Sequence, residues 1–213
     1  MELANRDEIE AKFAARVARL HGKFRTRLIE LLGSPPDPTR VPDSFWIEVE
    51  DEMRRDIAIA LLLISRASAL QHGLGIDVST RNWAEIRAQL VARPFTSNSR
   101  DLLADRFALP QAVPPTAEEI AADIFSPSRA DTIATTETTT ATSAGGEIAV
   151  SQTVGMTELD TWFTAEDDKV CSICGPLHGV HRSKWMAEFP LGPPAHPNCR
   201  CYIEYAAEKA PLN

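Results

Sequence analysis

A chain of 213 residues with 44% hydrophobic content is long enough for one large domain or two small ones, and it can bury a core. Its formal net charge of -8 and pI near 5.2 exclude the whole molecule as an electrostatic glove for nucleic acid, because phosphate binding relies on clustered Lys and Arg. Met1 to Glu8 lack the cationic start, apolar stretch and cleavage site of a secretory signal, and Ile57 to Ile64 fall far short of the roughly 20 apolar residues of a membrane span; cytoplasmic synthesis and no transmembrane segment are expected.

The first element places Ile9, Phe13, Val17, Leu20, Phe24, Leu28 and Leu31 at steps of three and four, the pattern of one helix face. Arg6, Lys12, Arg16, Arg19, Lys23, Arg25 and Arg27 occupy the remainder, which predicts a solvated face rather than a binding stripe. Gly33 and the prolines at 35, 36 and 38 stop the helix, since proline has no amide hydrogen to donate. A second helix is expected to start with Asp43 or Ser44 as its cap, to carry Trp46, Val49, Met53, Ile57, Ala60, Leu61 and Ile64, and to end before Gly73. Ile57 to Ile64 are apolar all round, which predicts burial on several sides within a helical bundle or at a subunit contact, with the core favoured.

Ser79 or Thr80 can cap a third helix through Trp83, Ile86, Leu90 and Val91, closed by Pro94. Leu109 to Pro115 has the proline content of a connector. Thr116 and Glu119 match a capping box for a short helix ending near Phe125. Asp131 to Ser143 are dominated by threonine, whose branched side chain is a mediocre helix former, so propensity alone allows strand or disordered linker. From Thr161 onward, Trp162, Phe163, Val170, Tyr202, Ile203 and Tyr205 among Gly and Pro turns predict short strands.

All four cysteines lie between 171 and 201. Cys171 and Cys174 form a Cys-x-x-Cys turn that aims two thiolates at one point, and His196, Cys199 and Cys201 follow more than twenty residues later. In a reducing cytosol this clustering favours metal over disulfides, and two short-spaced pairs on separate turns suit tetrahedral Zn²⁺. Five candidates compete for four places, with Cys199 and Cys201 on the same side of an extended segment. A thioredoxin-like role is disfavoured by Gly175 and Pro176 directly after the motif. His178 and His181 read as surface residues or supports behind the ligands. A closed four-ligand site leaves no place for a reactive water, so the metal would stabilise the fold and no catalytic residue is assigned.

The C-terminal residues resemble the phage Mu F-like minor head, or head morphogenesis, proteins. Trp162, Thr164, Asp168, Cys171, Cys174, Leu177, Gly179, Pro193, Pro194, His196, Pro197, Asn198, Cys199, Arg200 and Cys201 fall in that family's order and approximate spacing. Arg129 and Ile133 to Thr138 resemble its Ile-Ala-Arg-Thr-Glu segment, with Thr135 where Arg is usual and Glu137 retained. The resemblance implies that the threonine run is helical, with a poorly ordered tail from Ala144 to Gly146. It also implies zinc ligation by Cys171, Cys174, His196 and Cys199, with Cys201 as the alternative ligand, because relatives can carry Ser at that last position. Glu137, Trp162, Asp168, Gly179, Pro194 and Arg200 are then its structural motif residues.

The expected fold class is α+β and mostly α, a helical bundle-like part followed by a small zinc-stabilised unit with short strands. Residues 1–110 would be helical, 111–127 a connector and short helix, 128–205 the Mu F-like domain, and 206–213 a tail. The resemblance implies a structural protein of the phage head or a prophage-derived particle, made in the bacterial cytoplasm and acting in head morphogenesis. Its implied partners are portal, capsid and scaffold proteins and the packaged DNA, with no membrane and with an oligomer in the head. The N-terminal helices would dock on portal or capsid subunits, and Trp162, Asp168 and the Pro193-Pro194 turn would form a rigid contact surface. Two rival readings stand beside it: a zinc-scaffold, HNH or treble-clef-like nuclease using His178, His181 and Asn198, and a zinc-ribbon DNA-binding adaptor.

Overall fold

Phe13, Val17, His21, Phe24, Leu28 and Leu32 recur at steps of three and four and form the buried stripe of α1, Arg6–Leu32, in the computed structural model, which describes residues 2–74, 78–108, 114–168 and 170–209. Ile9, Leu20 and Leu31 lie at the stripe's margin, partly buried. Gly33, at φ 69°, ends the helix in a backbone region that favours glycine. The basic face is not simply solvated. Arg16, Lys23 and Arg27 pair with Asp56, Glu52 and Glu48 of α2, Asp43–Gln71, while Arg6 is buried at 4% exposure.

α2 begins after Pro42, which takes the cap position expected of Asp43 or Ser44, and stops before Gly73. Its apolar run is buried on one side only: Ile57, Ala60, Leu61 and Ile64 enter the core, whereas Ile59 and Leu63 are 45% and 60% exposed. α3, Val78–Ala108, continues straight through Pro94. Proline there costs one backbone hydrogen bond, but Ala84, Ala88, Ala92, Phe95, Ser99 and Leu103 make a buried stripe on both sides of it. The inward face therefore consists largely of small alanines, and Ile86 and Leu90, expected to face inward, are 64% and 60% exposed. The large apolar residues mark the wrong face because alanine lets α2 and α3 approach closely.

Of the Leu109 to Pro115 connector, residues 109–113 lie outside the described residues. α4, Ala117–Ile124, carries the capping box: Glu119 donates its amide to Thr116 Oγ1 and its carboxylate accepts from the Thr116 amide at 2.8 Å. α5, Pro127–Gln152, contains the whole threonine run, and the segment Ala144 to Gly146 is helix rather than a poorly ordered tail. A Cβ built on Gly145 would stand 2.1 Å from the Ser65 carbonyl oxygen, so glycine is what lets α5 cross α2 backbone to backbone.

The first hydrophobic cluster draws on all five helices and runs in sequence from Leu3 to Ala141; the second joins Val150 to Trp162, Cys174, Trp185, Cys199, Cys201, Ile203 and Tyr205. α5 contributes to both, so this helix of the expected 128–205 unit is also a wall of the N-terminal core. Above its C-terminal end lies an antiparallel sheet of order β2-β1-β3, with β1 Thr161–Phe163, β2 Val180–His181 and β3 Tyr202–Glu204. Trp162 sits opposite Val180 and Ile203. Val170 and Tyr205 lie outside the strands, and one further turn of helix, α6, spans Arg182–Trp185.

His21 is buried among the aromatic rings of the helical core, stacked 5.1 Å from Phe95 and edge-on to Phe125. Burial lowers its pKa from 6.5 to about 4. Above pH 6.5 the ring is neutral in both folded and unfolded chains; as pH falls toward 4 only the unfolded chain takes up the proton, and stability is lost. The shift corresponds to about 3 kcal/mol. Urea unfolding at pH 7 and pH 4 should show His21→Leu losing less stability than the parent by about that amount. Equal losses would remove His21 as the cause.

Candidate metal centre

The Cys-x-x-Cys turn is closed by backbone hydrogen bonds. Gly175 donates to the Cys171 carbonyl at 2.9 Å and Leu177 to the Cys174 carbonyl at 3.0 Å, which folds Gly175–Leu177 into a short 3-10 turn. The Cys174 amide points at Cys171 Sγ, 3.4 Å away, and this amide is the largest influence lowering the Cys171 pKa. Both thiols meet His196, whose Nε2 lies 3.0 Å from each sulfur. His196 Nδ1 donates to the Pro197 carbonyl at 2.7 Å, which leaves Nε2 with its lone pair free for a cation.

Five candidate ligand atoms form two overlapping trios, Cys171-Cys174-His196 and Cys174-Cys199-Cys201, each with all its atoms within 4.8 Å of one another. Cys174 belongs to both. Cys199 Sγ is 3.7 Å from Cys174 Sγ, close to the edge of about 3.8 Å expected for sulfurs about 2.3 Å from a tetrahedral zinc. A cleft of about 20 Å³ between these groups has room for a single ion. The residues fit a metal: the donors are soft or borderline, one is an oriented imidazole, and the thiols crowd one another.

That crowding also separates Cys199 from Cys201. A side-chain hydrogen bond from Cys201, assisted by the amides of Cys201 and Ala195, pulls the Cys199 thiol down to about 5 against the cost of burial. The same bond, with burial, pushes Cys201 upward. The opposite directions favour Cys199 over Cys201 as the group that gives up its proton. Burial and the neighbouring Cys199 push Cys174 up to about 12, a cost that a divalent cation would offset.

The remaining motif residues take varied places. Trp162 is fully buried against Trp185 and Phe189, so it is core and not the exposed contact surface expected of it. Asp168 is exposed; its neighbour Asp167 accepts from Arg200 at 2.9 Å. Gly179, at φ 75°, donates its amide to the Trp162 carbonyl at 2.8 Å in a turn that favours glycine. Pro194 is partly buried after a cis Pro193-Pro194 bond. Glu137 lies 4% exposed in α5 and takes two 2.7 Å hydrogen bonds from Arg87 of α3. Thr135, standing where Arg is usual, donates to Glu10 at 2.6 Å.

Sequence reasoning missed two groups here. Asp160, fully buried, accepts from the Thr157 and Ala206 amides and pairs with Arg182, which also holds Glu147 at 2.7 Å; the Thr157-x-x-Asp160 spacing was the available local signal. Thr132, Thr136 and Thr139 of α5 bond the second ligand loop, and no periodicity of apolar residues reports that. His178 bonds Thr164, His181 bonds Thr161, and Asn198 bonds Thr132 and Thr136, so the three residues of the nuclease alternative engage separate partners. Among the described residues no helix is long and apolar enough to cross a membrane.

Neither the curated proteins nor the solved structures contain a match to this chain. Residues 68–204, from the last turn of α2 to the end of β3, match the family model described as Phage Mu protein F like protein, and the chain belongs to that family.

Proposed function

We propose that the chain is a minor structural component of a phage head, acting in head morphogenesis and carried in the virion, with one structural Zn²⁺ held by Cys171, Cys174, His196 and Cys199. The family match carries the head assignment, since it spans α3 to α5, the sheet and the metal centre. The paired trios of Cys and His support the metal, and four protein ligands would close its coordination sphere. Cys201 supports the site as hydrogen-bond donor to Cys199.

In this reading the helical core docks on portal, capsid or scaffold subunits and can lie against packaged DNA. Ile59 and Leu63 on α2, with Ile86 and Leu90 on α3, are among the exposed apolar residues available for such contacts. Because α5 completes the core of α1 and α2, a truncation of residues 1–110 would test stability rather than docking. Point substitutions are the better instrument. The full chain should co-sediment with assembled heads and crosslink to portal or capsid subunits, and Leu63→Glu or Leu90→Glu should reduce incorporation while leaving the fold intact. Heads that assemble normally without the chain and never contain it would overturn the proposal.

A further inference from the structure

The second ligand loop is held from outside its own unit. The Cys199 carbonyl accepts a hydrogen bond from Thr139 Oγ1, and that hydroxyl in turn accepts from Arg6 Nη2 at 2.6 Å. Arg6 Nη1 reaches the Arg200 carbonyl at 3.5 Å. Asn198, at φ 62°, gives its amide to Thr136 Oγ1 at 2.9 Å. The Arg200 guanidinium spans Asp167 at 2.9 Å and Asp7, in the first turn of α1, at 2.5 Å. Thus α1 and α5 both grip the His196–Cys201 segment, whose own backbone closes with the Cys199 amide on the His196 carbonyl at 3.2 Å.

We infer that this grip makes the metal centre and the N-terminal turn of α1 a single coupled device, in which divalent-metal binding orders the 196–201 loop and the loop in turn holds Arg6 and Asp7, locking α1 to α5. This rests on the metal reading above. Arg6 is 4% exposed, and its partners are one threonine, one carboxylate and the loop's carbonyl. A guanidinium so placed is stable only while its acceptors stay in position. When the ligands are released, a short irregular loop gains conformational freedom, its carbonyls move, and Arg6 follows them toward water with the first turn of the helix. Linkage requires the reverse as well: loosening Arg6 must weaken metal retention by the same factor.

The test uses the full chain loaded with Zn²⁺, its metal content measured, before and after chelation, followed by amide hydrogen exchange. Exchange should rise at least tenfold in residues 171–204 and also in residues 9–13, while residues 53–64 of α2 stay protected. In competition with a chromophoric chelator, Arg6→Met should lose Zn²⁺ about tenfold more readily than the parent. Phe24→Leu, which weakens the core away from the loop, should not. A rise confined to 171–204, an equal rise in 53–64, or equal metal loss from both variants would overturn the coupling while leaving the metal centre in place. A chain that takes up no metal would overturn the metal reading, and the coupling with it.

Discussion

Cys174→Ser is expected to empty the metal centre and unfold residues 157–205, with the helices around the first cluster retained. The second cluster is small, and three of its eight buried residues are the cysteines themselves, so little apolar surface is left to hold the unit when the ligands are gone. Structural zinc supplies on the order of 10 kcal/mol in peptide systems, far more than a cluster of this size can replace. Trp162 and Trp185 lie inside the unit. Their fluorescence should shift to the red while far-UV circular dichroism keeps most of its helical signal. Cys201→Ser should retain the metal, because a serine hydroxyl can still donate to the Cys199 thiolate. Metal lost from Cys201→Ser but kept by Cys199→Ser would reverse the assignment of the fourth ligand, and an unchanged spectrum in Cys174→Ser would end the metal reading altogether.

The second large effect belongs to the ion pair between α3 and α5. Arg87→Ala should cost about 1–3 kcal/mol, the range for leaving a buried acceptor unsatisfied, because Glu137 loses both hydrogen bonds from Arg87. The side chains are unequally covered, Arg87 30% exposed and Glu137 5%, so removing the arginine does more harm than removing the glutamate. The Glu137 hydrogen bonds are the largest influence raising the Arg87 pKa, consistent with a guanidinium engaged on both oxygens. Arg87→Met combined with Glu137→Leu should recover most of the loss, since an apolar pair of similar volume leaves no charge buried. Urea unfolding of the two variants against the parent decides the matter. A cost below about 1 kcal/mol for Arg87→Ala would place the pair with ordinary surface salt bridges.

Several features could be read directly along the chain. The spacing of Phe13, Val17, Phe24 and Leu28 marked α1; Thr116 and Glu119 marked the start of α4; the Cys-x-x-Cys turn and the His196 to Cys201 segment marked a Cys and His cluster able to hold a metal. Each is a local pattern in which a few neighbouring residues report on one turn of backbone. The threonine run was different. Intrinsic propensity left it ambiguous, and family resemblance, not residue chemistry, pointed to helix.

The failures have one origin. Pro94 was expected to end α3, Ile86 and Leu90 to face the core, and Gly145 and Gly146 to lie in a loose tail. In each case the deciding partner is a second helix. Close approach of α2 rewards alanine and glycine where a lone helix would rank large apolar residues higher, and packing on both sides of Pro94 outweighs one lost hydrogen bond. Arg6 looked like a surface charge for the same reason.

The stripe of α1, the capping box and the Cys-x-x-Cys turn were therefore legible in one dimension, because their physics is complete within a few residues. Which face of α3 turns inward, which carboxylate neutralises Arg87 and what anchors the Cys199 loop were settled by folding. Arg87 and Glu137 are 50 residues apart, and Arg6 and Thr139 are 133 apart. Their pairing energy exists only after the intervening helices have packed and excluded water, so no local pattern along the chain records it.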